Sequence, residues 1–248
     1  MRPPVDTILA PPFPARLPWV NVASLRMDQQ RGRPVLVEFW DFCRPNSIRT
    51  LPYVKAWHER YEPLGLRVVS VHSPGFPPSQ DEDAVREAVA RLGIGHPVLI
   101  DTGFELWAAY ENPGWPARYL WDGEGVLSDF QIGEGGYAET ELAIQQLLGV
   151  EREPLAPLRP EDDPAALLEP QTEDQQGAYS GPYAAGGVWA VLSGRGELGV
   201  NGEPVAVGHP GAYALLEHPH HVEAVLELEV GEGVECHATC FTPGVPAS

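Results

Sequence analysis

The stretch PVLVEFWDFCRPNSIRTLPYVKAW, residues 34–57, constrains the fold more than any other part of the chain. Its opening, VLVEFW (35–40), is an almost unbroken apolar run. That pattern suits a strand covered on both faces, as in a sheet with helices on each side. The residues after Asp41 change period. Ile48, Leu51, Val54 and Trp57 recur every third position, which predicts an amphipathic helix with Pro52 as its candidate kink. A single cysteine, Cys43, stands at the junction.

The same alternation continues. LRVVSVHS (66–73) predicts a second buried strand, and SQDEDAVREAVARLGI a helix with an acidic first turn and Gly93 as its stop. HPVLID predicts a short strand and FELWAAYE a short helix. WPARYLWDGEGVLSDFQIG predicts two antiparallel strands joined at Asp-Gly, and YAETELAIQQLLG (137–149) a last helix. This order predicts an α/β domain, a central mixed sheet flanked by helices, over residues 1–150 with an irregular Pro-rich start. Residues 151–182 are acidic and Pro-rich and read as a linker or strap. Residues 183–248 turn to short Gly-punctuated alternating strands, with a hairpin signal at VNGEPV. They predict a small all-β sandwich or jelly roll.

Charge narrows the partners. Of 248 residues, 35 are acidic and 16 basic, for a formal charge of −19, and Lys55 is the only lysine. No basic stripe is present to follow a phosphate backbone, so nucleic acid is not an expected partner. No run of 18 apolar residues exists, so no direct membrane insertion is expected. The start lacks an apolar leader, which points to the cytoplasm; a trimmed chain would leave an extracytoplasmic site open. Three cysteines do not suggest a disulfide scaffold.

Several segments, in order, carry a family resemblance: LPWVNVASL, RGRPVLVEFW, RTLPYVKAWHERYEPLGLRVVSVHSPGF, RLGIGHPVLIDTGFELWAAYENPGWPARYLWDGEGVL and IGEGGYAETELAIQQLLG. Residues 16–149 resemble the thioredoxin-like superfamily. More narrowly, they resemble the redoxin region of DipZ-type cytochrome c biogenesis proteins. The C-terminal part, AYALLEHPHHVEAVLELEVGEGVECHATCFTPG, resembles more weakly the carbohydrate-binding-like β module that follows that region.

The resemblance implies a C-x-x-C pair after the Phe-Trp of the first strand. Counting without gaps from Trp40 puts those cysteines at Arg44 and Ser47. A shift of one residue puts CRPN there, with Cys43 and Asn46 on the motif. The first register keeps RTLPY in place without a compensating change; both stay open. In either one the second cysteine is missing. Such a pair works because the first thiolate lies at a positive helix end and the second thiol resolves the mixed disulfide. Without it, dithiol exchange is not expected. The resemblance also places Pro116 at the family's cis-proline and gives the Trp115 backbone the task of holding an extended substrate.

These residues frame the expected function. The leading expectation is a non-catalytic, protein- or ligand-binding role. Phe42, Arg44, Asn46, Ser47, Trp115 and Pro116 would form the groove for an extended protein segment, with Phe42 and Trp115 its exposed rings. The alternative is a single-cysteine oxidoreductase or peroxidase-like enzyme that uses Cys43 with a small thiol. Asp41 counts against it, because a neighbouring carboxylate opposes a thiolate. A third reading is carbohydrate or metal binding by the β domain. Trp189, Tyr183 and Tyr213 are the candidate sugar platform. His218, His220, Cys236 and His237 are weak metal candidates, their spacing matching no known signature. On a straight strand Cys236 and Cys240 lie roughly 13 Å apart, too far to share an ion without a bulge near Ala238. No cofactor is expected, and the sequence leaves the oligomeric state open.

Overall fold

A computed structural model describes residues 8–247 of the chain. They divide into two compact units. The first comprises the residues up to Asp41, Asn46–Gly75 and Gln80–Ala156. The second comprises Pro157 onward together with two short segments, Phe42–Pro45 and Phe76–Ser79.

The first unit is built on a six-stranded sheet. In chain order its elements are β1 (Trp19–Val20), β2 (Val35–Trp40), α1 (Pro45–Tyr61), β3 (Arg67–His72), α2 (Glu82–Arg91), β4 (Val98–Ile100), α3 (Glu105–Ala109), β5 (Ala117–Trp121), β6 (Leu127–Ile132) and α4 (Tyr137–Leu148). The strands lie in the order β1-β4-β3-β2-β5-β6. β2 is central, parallel to β3 and antiparallel to β5. That position explains the unbroken apolar run, because both faces of β2 are covered. Val35, Val37 and Phe39 point into one core with Leu106, Tyr119 and Trp121. Leu36 points into the other, against Tyr53, Trp57, Tyr61 and Ile144.

Local chemistry sets the helix ends. Asp81 caps α2 by accepting from the Asp83 N–H at 2.9 Å. Gly149 ends α4 in the left-handed conformation. α1 runs unbroken through Pro52.

From Pro157 onward the second unit is all-β apart from one short turn of helix, Pro160–Asp162. Its strands are β7 (Gln175–Gln176), β8 (Gly181–Gly194), β9 (Gly196–Val200), β10 (Glu203–Val207), β11 (Gly211–Leu226), β12 (Leu228–Val230) and β13 (Val234–Thr242). They make one sheet ordered β10-β9-β12 and another ordered β11-β8-β13-β7. One apolar cluster joins them: Val188, Ala190 and Leu192 of β8, Leu198 and Val200 of β9, and Phe241 of β13. This is the sandwich that the alternating pattern predicts. The β9–β10 hairpin turns at Asn201 and Gly202, both at positive φ, as the Asn-Gly signal requires.

Candidate functional site

The site is built where β2 and β3 end and α1 begins. Arg44 immediately precedes α1, and Ser47 is the third residue in it. Cys43 lies one residue earlier. Its residue is 0% exposed, and Phe42 beside it is 1% exposed. The exposed ring expected at Phe42 is therefore corrected. The Phe42–Pro45 segment packs within the second unit, where the Ala212 N–H donates to the Phe42 carbonyl at 3.1 Å.

Asp41, also buried, is the polar centre of the junction in the first unit. Its Oδ2 accepts from the Gly75 N–H at 2.7 Å, and its Oδ1 lies 3.4 Å from Nε2 of the equally buried His72. Its own N–H donates to Ser47 Oγ at 3.3 Å. Asp41 thus ties the ends of β2 and β3 to the first turn of α1. Ser47, standing where a resolving thiol is expected in the ungapped register, is part of that structural network.

The bond between Trp115 and Pro116 is cis. Pro116 is buried and Trp115 is half-buried. The Trp115 carbonyl accepts from Asn46 Nδ2 at 2.7 Å, and its indole N–H donates to the Ser73 carbonyl at 2.9 Å. The backbone group foreseen as a grip for substrate is already bonded to a side chain of α1. Of the six groove residues, Arg44, Asn46 and Trp115 keep some exposure, while Phe42, Ser47 and Pro116 are buried. Within the second unit, the Arg44 guanidinium lies 5.2 Å from the Phe76 ring centroid and lines a recess of about 390 Å³ with Asp174, His237 and Cys240.

Behind the junction lies a polar group that sequence reading missed. Glu38 of β2 is fully buried beside Ser70 of β3, whose hydroxyl donates to Oε2 at 2.8 Å. The same hydroxyl lies 2.7 Å from His96 Nε2. Burial pushes the Glu38 carboxyl up to about 7, against the pull of Ser70 and Arg118. Burial pushes His96 down to about 3, with help from His58 and Lys55. Glu38 is the one polar residue in VLVEFW, and that interruption was the available signal.

The β unit does not gather the residues proposed for metal or sugar. Among the described residues no three His, Cys, Asp or Glu side chains are grouped to hold a metal. His218 Nε2 lies 2.9 Å from the Tyr183 hydroxyl, and His237 Nε2 lies 2.8 Å from the Ser193 hydroxyl. Cys236 donates weakly to the Ala238 carbonyl, and all three cysteines are free thiols. A bulge does occur between Cys236 and Ala238, as close approach of the sulfurs would demand, but they do not bond. Trp189 and Tyr183 are 7% and 4% exposed and so cannot serve as a sugar platform. Tyr183 packs in the core between the two sheets, whereas Trp189 lies between the core residues Val188 and Ala190 and is buried on the opposite face of β8.

No protein-family model matches the chain. It is 34% identical over 163 residues to Protein DipZ of Mycobacterium bovis, a match covering 62% of this chain and 24% of that protein. The chain therefore spans about a quarter of the length of that relative. It is 29% identical over 130 residues to the thiol-disulfide oxidoreductase YkuV of Bacillus subtilis, covering 52% and 87% of the two chains. Among solved structures, an oxidised thioredoxin-like protein superposes with a TM-score of 0.50 at 27% identity, over 60% of this chain and 97% of that one. No helix among the described residues is long and apolar enough to cross a membrane. Fold and relatives together make this a thioredoxin-like protein related to the DipZ-type proteins, with no pair of cysteines placed to form a disulfide.

Proposed function

We propose that the chain acts by binding a protein segment or ligand and does not turn over thiols. The observation that carries this reading is the complete burial of Cys43. A thiolate must meet its substrate sulfur in line, so a thiol without exposed surface cannot begin exchange. Ser47, with no sulfur and its hydroxyl bonded to the Asp41 N–H, cannot finish it. The junction that houses a redox pair in a dithiol enzyme is here a structural joint.

The test is thiol chemistry on the native chain. Ellman's reagent at neutral pH is expected to leave Cys43 unmodified until denaturant is added, as read by mass spectrometry of the labelled peptide. Reduction of insulin disulfides is expected to stay at the uncatalysed rate. Native labelling of Cys43 at the rate of an exposed thiol would overturn the reading. So would thiol-dependent peroxide consumption that disappears in Cys43→Ser.

A further inference from the structure

Away from the α1 junction, the first unit carries an open groove of about 560 Å³. It runs between α3, strands β5 and β6, and the entering chain at residues 8–11. Its size falls in the range of small-molecule sites. Ten large apolar residues are exposed among those described, and three of them line this one groove: Ile8 (40%), Leu9 (67%) and Ile132 (37%). Singly exposed apolar residues need no explanation, but a cluster of them over a concavity does.

The walls are aromatic. Phe130 stacks on Tyr119 at 6.4 Å between centroids, and Tyr110 meets Trp121 edge to face at 5.6 Å. The floor hydroxyl of Tyr119 is already donated to Asn112 Oδ1 at 2.9 Å. The groove therefore offers rings and aliphatic surface.

Charge then selects the occupant. The lining includes one charged side chain, Glu111, and no basic one. Glu111 is exposed at the rim, in the left-handed conformation at φ 48, and its N–H is bonded to the Ala108 carbonyl at 3.1 Å. The whole chain carries a formal charge of −19. An anion entering this groove would meet repulsion without a partner. A cation would meet a carboxylate at the rim and aromatic rings in the walls, both of which attract positive charge. We propose that the groove binds a small organic cation with an apolar body, a quaternary ammonium compound being the simplest form, with the apolar part against Leu9 and Ile132 and the charge toward Glu111 and Phe130.

The experiment titrates the full chain with benzyltrimethylammonium, its neutral isostere neopentylbenzene and the anion phenylmethanesulfonate, followed by protein NMR shifts. The cation is expected to bind about fivefold more tightly than the neutral compound, with shifts confined to the groove residues. Glu111→Gln, a change at an exposed position, is expected to weaken the cation severalfold and leave the neutral compound unchanged. Phe130→Leu is expected to weaken the cation more than the neutral compound. Equal affinity for the cation and its isostere, comparable binding of the sulfonate, shifts elsewhere on the protein, or no shift with any of the three overturns the proposal.

Discussion

Asn46 and Trp115 are 69 residues apart in the chain, and the side-chain amide of the first is bonded to the backbone carbonyl of the second at 2.7 Å. The other end of the same amide accepts from the Ser47 N–H at 2.9 Å. Asn46 therefore satisfies an N–H in the first turn of α1 and fastens that turn to the Pro116 loop. Asn46→Ala removes both bonds and is expected to cost about 1–3 kcal/mol. Asn46→Asp keeps the acceptor for Ser47 but not the donor for Trp115, so it is expected to fall between the two. Urea unfolding of the three proteins checks the order. Equal midpoints would show that the amide does not hold the loop.

The position of α1 also makes the cysteine register testable. Arg44 precedes the helix directly and Ser47 sits in its first turn, three residues on. A dithiol needs one sulfur at the helix end and the second one turn along. The double change Arg44→Cys, Ser47→Cys is therefore expected to form a disulfide on oxidation. Asn46→Cys, which pairs with the native Cys43 at the same spacing, is expected to remain reduced. Mass spectrometry after mild oxidation distinguishes them. A disulfide in the second variant and not the first would reverse the register.

The central strand was legible because burial on both faces leaves a mark in the sequence: β2 lies between β3 and β5 and is covered twice, and VLVEFW is accordingly almost unbroken apolar. The lost cysteine was legible too, since sulfur is either present or absent. Exposure was not. Phe42 lies in a loop between strand and helix, where an aromatic ring is expected to reach solvent, yet its segment packs with strands encoded some 170 residues later. Trp189 had no readable orientation, because β8 is buried on successive residues from Gly187 to Leu192. Asp41 looked like a charge beside a thiol. Its meaning as a joint depends on His72, Gly75 and Ser47, which only the folded chain brings together.

Glu141 carries a large expected effect. It sits on α4 on the same face as Tyr137 and Ile144, and it is buried with them. Its Oε1 accepts from Arg60 at 2.8 Å and the Tyr61 hydroxyl at 2.6 Å, and its Oε2 accepts from the Trp57 indole at 3.1 Å and the Leu155 N–H at 2.8 Å. One carboxylate thus joins α1, α4 and the chain leaving α4. Glu141→Ala leaves four donors without it and is expected to cost about 3 kcal/mol or more. Glu141→Gln presents an amide N–H to two donors and is expected to recover only part of that. Equilibrium unfolding measures both, and a cost under about 1 kcal/mol for the alanine would contradict the assignment.

Glu38 and His96 share the Ser70 hydroxyl and pull stability in opposite directions with pH. The folded chain keeps Glu38 protonated from its ordinary 4.5 up to about 7, where the unfolded chain has released that proton. Stability from this group is present below 4.5 and is lost as pH rises through 7. The folded chain keeps His96 neutral from its ordinary 6.5 down to about 3, where the unfolded chain has gained a proton. Stability from this group is present above 6.5 and is lost as pH falls through 3. Between 4.5 and 6.5 the two slopes oppose, each on the order of 1 kcal/mol per pH unit. The wild-type chain is therefore expected to show little pH dependence from this pair across that window. Glu38→Gln removes one slope and unmasks the other, so its stability relative to wild type is expected to rise with pH from 4.5 to 6.5. Urea midpoints of both proteins at several pH values within the window test this. Parallel profiles would mean that Glu38 is ionised in the folded protein, with Arg118, its cross-strand partner on β5, holding the charge.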